Sequence, residues 1–138
     1  MINIKENINN VEEFNLLYDS VGWGAYDENI SKKSLDNTFY SVSIYDYDKI
    51  IGYGRLIGDT ICFLYIQDVM VRPEYQGKKI GTLIMNKLLG KINEIKMENP
   101  DLRVYLGASK NREKFYEKFG FIKRIDADLG YGMILKNI

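Results

Sequence analysis

The apolar pattern of this chain passes from strand to helix period at Pro73, and that change limits the folds open to it. Upstream, Phe39–Tyr45, Ile50–Ile57 and Ile61–Val71 are rich in strand-forming residues and alternate between faces. Asp46-Tyr47-Asp48-Lys49 and Gly58-Asp59 separate them as turns, so the middle of the chain reads as an antiparallel meander. Downstream, Ile80, Leu83, Ile84, Leu88, Ile92 and Ile95 keep the spacing of one long amphipathic helix that ends at Asn99-Pro100. Leu102–Leu106 follows as a short apolar strand. A strand, a helix and a strand in that order form a crossover unit, right-handed, with the 61–71 and 102–106 strands parallel.

The flanks complete a mixed α/β reading. Ile2–Lys5 is a short strand. Asn10 caps a helix that carries Val11, Phe14, Leu17 and Tyr18 on one face and stops at Gly22 and Gly24. Ser31–Asn37 forms a second helix. Asn111–Phe119 forms the last, with Gly120 at its C-cap, and Phe121–Ile125 and Tyr131–Leu135 are expected as two closing strands. With 138 residues, 46% of them apolar, the chain has the size and core of a single domain.

Composition removes whole classes of chemistry. There is no histidine, so Ser-His-Asp and Cys-His nucleophilic machinery is out, and so is the commonest metal ligand. Cys62 is the only cysteine, which excludes an intramolecular disulfide and a cysteine-based zinc site within one chain. No metal is expected. Basic and acidic residues balance at 19 each and the isoelectric point is near 6.3, without the basic excess of a nucleic-acid binder. No apolar run is long enough to span a membrane, and Met1–Glu6 does not read as a signal peptide, so a cytoplasmic protein is expected.

The junction at the period change carries the clearest chemistry. Asp68-Val69-Met70-Val71-Arg72-Pro73 runs into Glu74-Tyr75-Gln76-Gly77-Lys78-Lys79-Ile80-Gly81, a strand that turns tightly and opens a helix. First-turn N–H groups lack partners inside their helix and the helix dipole adds positive charge there. Gly77 and Gly81 permit close backbone approach, and Lys78 and Lys79 add formal charge. This suits an anion such as a pyrophosphate. Taken alone, the loop is equally compatible with a solvated, lysine-bearing turn. It lacks the Gly-Lys-Ser/Thr ending of a P-loop and the glycine pattern of a dinucleotide-binding turn.

These residues resemble the GNAT superfamily of acyl-CoA-dependent N-acyltransferases. That family has a strand ending in Val-x-Pro followed by Gln/Arg-x-x-Gly-x-Gly/Ala, and here Val71-Arg72-Pro73 precedes Gln76–Gly81, with Lys79 in place of the first glycine. It also has an aromatic-Tyr pair ahead of Gly-Phe, and here Phe115-Tyr116 precedes Gly120-Phe121. The resemblance extends over nearly the whole chain. It implies a central, mostly antiparallel sheet with a splayed parallel pair flanked by helices. It also implies acetyl-CoA as co-substrate, its pantetheine arm on backbone groups of Val69, Met70 and Val71 and its pyrophosphate on the N–H groups of Gln76, Gly77, Lys78, Lys79, Ile80 and Gly81. Tyr116 matches the family tyrosine near the sulfur and is the implied general acid. Ser109 and Arg112 stand where the family often has Asn and Ala, and Asn111 is the neighbour to which the asparagine's role falls.

In that family an amine attacks the thioester directly in a ternary complex. Positions that often hold a Glu or His base fall on Tyr65 and Gln67, which can order a water chain instead. Strict alternation places Tyr65 and Gln67 on one face and Asp68 on the other, where it reads as structural unless a bulge re-aims it. The first two helices and their connecting loop line the acceptor site. Trp23 and Tyr26 suit an apolar or aromatic amine, and Asp27 or Glu28 its ammonium; Trp23 serves equally as a packing residue between the helices. The expected activity is acetyl transfer to the primary amine of a small molecule. A protein or peptide acceptor remains open, as do a non-catalytic acyl-CoA-binding module and a homodimer.

Overall fold

The computed structural model describes residues 1–136. Five strands form one sheet in the order β1-β2-β3-β4-β5: β1 (Ile2–Glu6), β2 (Tyr40–Asp46), β3 (Lys49–Gly58), β4 (Phe63–Val71) and β5 (Arg103–Leu106). Neighbours from β1 to β4 are antiparallel. The β4–β5 pair, joined through the long helix, is the parallel one. Helices α1 (Val11–Ser20) and α2 (Glu28–Leu35) precede the meander, α3 (Ile80–Glu98) forms the crossover, and α4 (Glu113–Glu117) follows β5. The expected mixed α/β architecture is therefore the observed one through β5, with element ends moved by a few residues.

The residues fall into two compact units, Met1–Tyr105 and a second that begins at Leu106. In the first, β2 and β3 are buried almost end to end. One face of the sheet carries α1, whose Phe14 and Leu17 pack with Leu35, Tyr45, Ile50, Tyr53 and Met70. Asn10 caps α1 as its sequence indicates, its Oδ1 accepting from the Glu13 N–H at 2.9 Å. The other face carries α3, whose Ile80, Ile84, Leu88 and Ile92 are buried as the stripe requires. Gly52 and Gly54 lie beneath that helix. A Cβ on Gly52 would meet Ile80 and Ile84 at 3.0 Å, and one on Gly54 would meet Ile84 at 2.7 Å. The contact at Gly54 is closer than side chains tolerate and those at Gly52 are tight, so the two glycines let α3 sit close to the sheet.

The second unit departs from expectation. Neither Phe121–Ile125 nor Tyr131–Leu135 is a strand. Arg124–Ala127 is a 3-10 turn, ended by Asp128 in the left-handed region at φ 59°. Its backbone groups bond locally: the Asp128 N–H to the Ile125 carbonyl, the Leu129 N–H to the Arg124 carbonyl. Arg124 also donates from Nε to the Gly130 carbonyl at 2.8 Å. Alternation signals a residue's readiness to join a ladder and says nothing of a partner. Here Asp126-Ala127-Asp128-Leu129-Gly130 supplies a turn instead.

Candidate functional site

The segment that leaves β4 builds the loop from short-range rules. Pro73 occupies the first position of a 3-10 turn through Tyr75, where its missing N–H costs nothing. Gln76 then extends, and its Nε2 donates back to the Val71 carbonyl at 3.1 Å. Gly77 turns through φ 78° and Lys79 through φ 65°, both in the left-handed region. Ile80 is buried and fixes the first turn of α3, whereas Gln76, Gly77, Lys78 and Lys79 are exposed. No side chain caps α3 at Lys79, and the helix has no acidic residue in its first turn. The first-turn N–H groups, the dipole and two lysines thus face one exposed bend. The Lys78 ammonium rests over the Tyr75 ring, 5.4 Å from its centroid.

Lys79 sits where only glycine is free of strain. A left-handed non-glycine residue costs about 1–2 kcal/mol, partly offset by the greater flexibility of glycine in the unfolded chain. Lys79→Gly is therefore expected to raise the unfolding free energy by up to about 1 kcal/mol in urea titration. A loss of stability would show that the lysine side chain makes up for its own backbone strain.

The middle of β4 holds a feature that alternation misses. Tyr53 pairs with Met70 and Arg55 with Gln67, so Asp68 and Val69 together oppose Gly54 alone. Asp68 takes φ 56°, which marks a β-bulge. The bulge turns Asp68 toward the face of Gln67, correcting the expectation that the two point apart. Val69 points instead toward α3, its Cγ2 lying 3.5 Å from where a Gly54 Cβ would be.

Asp68 accepts from Arg55 Nε at 2.8 Å and from Gln67 Nε2 at 3.3 Å. Both side chains of the ion pair are nearly sealed from solvent, at 6% and 4% exposure for Arg55 and Asp68. Burial pushes the Asp68 carboxyl above the usual carboxylate range, and the guanidinium pulls it back only in part. The rest of the guanidinium ties down the end of α2. Nη1 donates to the Ser34 carbonyl at 3.0 Å and to Thr38 Oγ1 at 3.1 Å, and Nη2 donates to Ser34 Oγ at 3.0 Å. The signal in the sequence was a charged residue falling on the apolar phase of a strand.

The α1–α2 connection places an aromatic group on the same side. Tyr18 meets Trp23 edge-on at 5.2 Å and Tyr26 at 5.6 Å between ring centroids. Trp23 and Tyr26 remain 43% and 55% exposed, open to a ligand. The connection is firmly held. Asp19 Oδ1 accepts from the Ala25 N–H at 2.7 Å, and Asn15 Nδ2 donates to the Tyr26 carbonyl at 3.1 Å. Asp27 spends one carboxylate oxygen on capping α2, at 3.0 Å from the Asn29 N–H, whereas Glu28 is an exposed first-turn residue. The Tyr18 hydroxyl is pushed up to about 12, first by burial and then by the nearby charge of Asp68 and by its contacts with Tyr26. Tyr18 and Asp68 are the two residues of this neighbourhood that sequence reasoning left out of the site.

Tyr116 belongs to the second unit. It stacks edge-on with Phe115 at 5.0 Å and with Phe121 at 6.4 Å. Burial raises its hydroxyl above the ordinary tyrosine value, opposed by Arg112, so it stays protonated at neutral pH and can donate. Asn111 precedes α4 in the left-handed region at φ 70°. Among the described residues no group of three or more His, Cys, Asp or Glu side chains could hold a metal ion. No described helix is long and apolar enough to cross a membrane.

An N-acetyltransferase of the ycf52-like type from Prochlorococcus marinus, itself uncharacterized, is 32% identical over 113 residues, 79% of this chain and 61% of its own length. The ycf52 N-acetyltransferase of Gracilaria tenuistipitata is 30% identical over 88% of this chain and 66% of its own. The chain thus spans less than two thirds of the length of either relative. Among solved structures, a Staphylococcus aureus protein described as a probable acetyltransferase of unknown function superimposes with a TM-score of 0.86, at 32% identity and 99% coverage of both chains. A GNAT family acetyltransferase from Streptococcus pneumoniae gives 0.81 at 29% identity, over 99% of this chain and 98% of its own. The family model described as the acetyltransferase (GNAT) domain matches residues 9–129, and the chain belongs to that family.

Proposed function

We propose that the chain works as a single acyltransferase domain that moves an acetyl group from acetyl-CoA to the primary amine of a small molecule. The observation that carries this reading is the start of α3. An uncapped helix N-terminus, a left-handed bend at Gly77 and Lys79, two exposed lysines and a first turn without an acidic residue suit an anion. A pyrophosphate fits such a bend in charge and in donor geometry. Gln76, Gly77, Lys78, Lys79, Ile80 and Gly81 would hold it, with Val69, Met70 and Val71 offering backbone groups to the pantetheine arm. Acetyl-CoA supplies the activated thioester.

The acceptor amine reaches neutral pH as an ammonium with a pKa of about 10 and must lose a proton before it attacks. Tyr65 and Gln67 order the water that takes this proton. The bulge adds Asp68 to their face, the one carboxylate of β4. The ring faces of Tyr18, Trp23 and Tyr26 receive the carbon skeleton and the cation, and Glu28 supplies an exposed negative charge. The backbone N–H of Met70 or Val71 polarises the carbonyl. Asn111 keeps the role the family gives its asparagine, and Tyr116 protonates the departing thiolate. The compact aromatic wall favours a small acceptor over an extended peptide.

Thiol release from acetyl-CoA against a panel of primary amines tests the reading, with apolar and aromatic amines expected to turn over fastest. Tyr116→Phe is expected to lower kcat by roughly 10²-fold with little change in KM for acetyl-CoA, because only the hydroxyl is lost. An unchanged kcat, measured where chemistry limits the rate, would leave Tyr116 as a packing residue.

A further inference from the structure

The segment that leaves β4 is fastened to the hairpin end of β2 and β3. Arg72 Nε donates to the Ile50 carbonyl at 2.6 Å, and Lys49 Nζ donates to Glu74 Oε1 at 3.2 Å. The Tyr75 hydroxyl donates to Asp46 Oδ2 at 2.6 Å. That bond holds the Asp46 carboxyl below the usual carboxylate range, so it accepts as a charged group at neutral pH. Its other oxygen, Oδ1, accepts from the Met1 amino group at 3.0 Å. The half-buried Tyr75 ring is thus anchored by its hydroxyl immediately ahead of the bend at Gln76–Lys79. Two ammonium groups rest over this ring, those of Lys49 and Lys78, each 5.4 Å from its centroid. Lys49 is also paired with Glu74, which matches its charge locally. Lys78 has the ring and, among the described residues, no carboxylate. The difference matters, because an ion pair holds a lysine and cancels its charge. An aromatic face holds it through the ring quadrupole and leaves the charge for an incoming anion.

We infer that Tyr75 is a positioning residue for the acyl donor: its ring, anchored through Asp46, holds the Lys78 ammonium at the bend for a phosphate of CoA. This rests on the acyl-CoA reading above and adds to it two residues outside Gln76–Gly81. The hydroxyl sets where the ring lies, and the ring sets where the ammonium lies. Lysine has more rotamer freedom to lose than most side chains. A ring that restricts it before the donor arrives takes part of that cost out of binding. The backbone helps, since Gly77 and Lys79 on either side of Lys78 are both turned into the left-handed region, at φ 78° and 65°, and fix the point from which the side chain leaves.

Calorimetry with CoA and with pantetheine tests this on the parent, Tyr75→Phe, Tyr75→Leu, Lys78→Ala and the double variant Tyr75→Leu/Lys78→Ala, with a thermal melt to verify that each is folded. Tyr75→Leu is expected to weaken CoA binding by roughly 3- to 10-fold. Tyr75→Phe keeps the ring and loses the anchor, so about 2- to 3-fold is expected. Lys78→Ala should cost at least as much as Tyr75→Leu. Once Lys78 is gone, Tyr75→Leu should cost nothing further, because the ring then has no ammonium to hold. Pantetheine carries no phosphate and should bind all five proteins alike. Parent-like CoA affinity in Tyr75→Leu overturns the inference, as does an undiminished loss in the Lys78→Ala background or an equal loss for pantetheine. Parent-like affinity in Tyr75→Phe overturns the part given to Asp46. A parent that binds no CoA overturns the acyl-CoA reading itself and the role of Tyr75 with it, so the two failures are told apart.

Discussion

Arg55→Met is expected to cost about 3–5 kcal/mol of folding stability, because it leaves Asp68 charged, buried and without its counter-ion. A domain of this size has about 5–15 kcal/mol in total, so the variant sits near the edge of folding. It also loses the bonds from the guanidinium to Ser34 and Thr38, and with them the tether on the end of α2. The pH dependence has a definite sign. The folded-state pKa of Asp68 is raised above its unfolded value, so the carboxyl favours the folded state when protonated and that contribution is lost as pH rises. Without Arg55 only the Gln67 hydrogen bond opposes the raised value, and the deficit of Arg55→Met should shrink as pH falls from 7 toward 4. Denaturant titrations at both pH values measure it. The double variant Arg55→Met/Asp68→Leu should recover much of the loss, since it removes both charges. A cost below about 1 kcal/mol for the single variant, equal at both pH values, would mean that water reaches the pair and screens it.

That pair also shows where the sequence stopped being informative. The long helix was legible because burial repeats every three to four residues, and Ile80, Ile84, Leu88 and Ile92 are buried in that phase. The loop was legible because Pro73 and Gly77 obey local rules, whereas the positive φ of Lys79 goes against its own preference. The bulge was not. It depends on how β4 aligns with β3, a contact between residues far apart in sequence, and strict alternation put Asp68 on the wrong face. Its trace was there all the same. Leu64 and Ile66 set an apolar phase that Asp68 breaks, and Arg55 sits inside a strand buried nearly end to end. The closing strands failed for the opposite reason. Phe121–Ile125 and Tyr131–Leu135 have the residues of strands, but a ladder needs a partner as well as propensity. Trp23 and Tyr26 were singled out from their chemistry, whereas Tyr18, read as a helix-face residue of α1, lies between their rings.

The other large effect expected is at Gly81. Gly81→Glu should weaken CoA binding by on the order of 100-fold or more, since a side chain and a negative charge both enter the bend proposed to hold the pyrophosphate. The fold should survive. Glutamate is a better helix former than glycine by roughly 0.5–1 kcal/mol, and an acidic residue in the first turn suits the helix dipole. Stability and affinity should therefore move in opposite directions, which separates lost binding from lost structure. Calorimetry with CoA, paired with a thermal melt of the free protein, reads both. Parent-like affinity would place the pyrophosphate elsewhere. If the loop carries the affinity, pantetheine alone should bind both proteins equally weakly.

Gly52 and Gly54 let α3 lie close to the sheet, and the first residues of α3 are the floor of the bend proposed to hold the pyrophosphate. The height of α3 and the bend are thus one variable. A methyl group added on the strand next to the one that feeds the loop meets Ile80, Ile84 and Leu88 of the helix, and where those side chains do not give way the helix pivots or lifts as a whole. The consequence is evolutionary as much as structural. If that bend holds the acyl donor, selection for tighter or looser hold can act on the sheet interior, at positions that never touch the donor, and the two glycines then behave as part of the binding site while looking like part of the core.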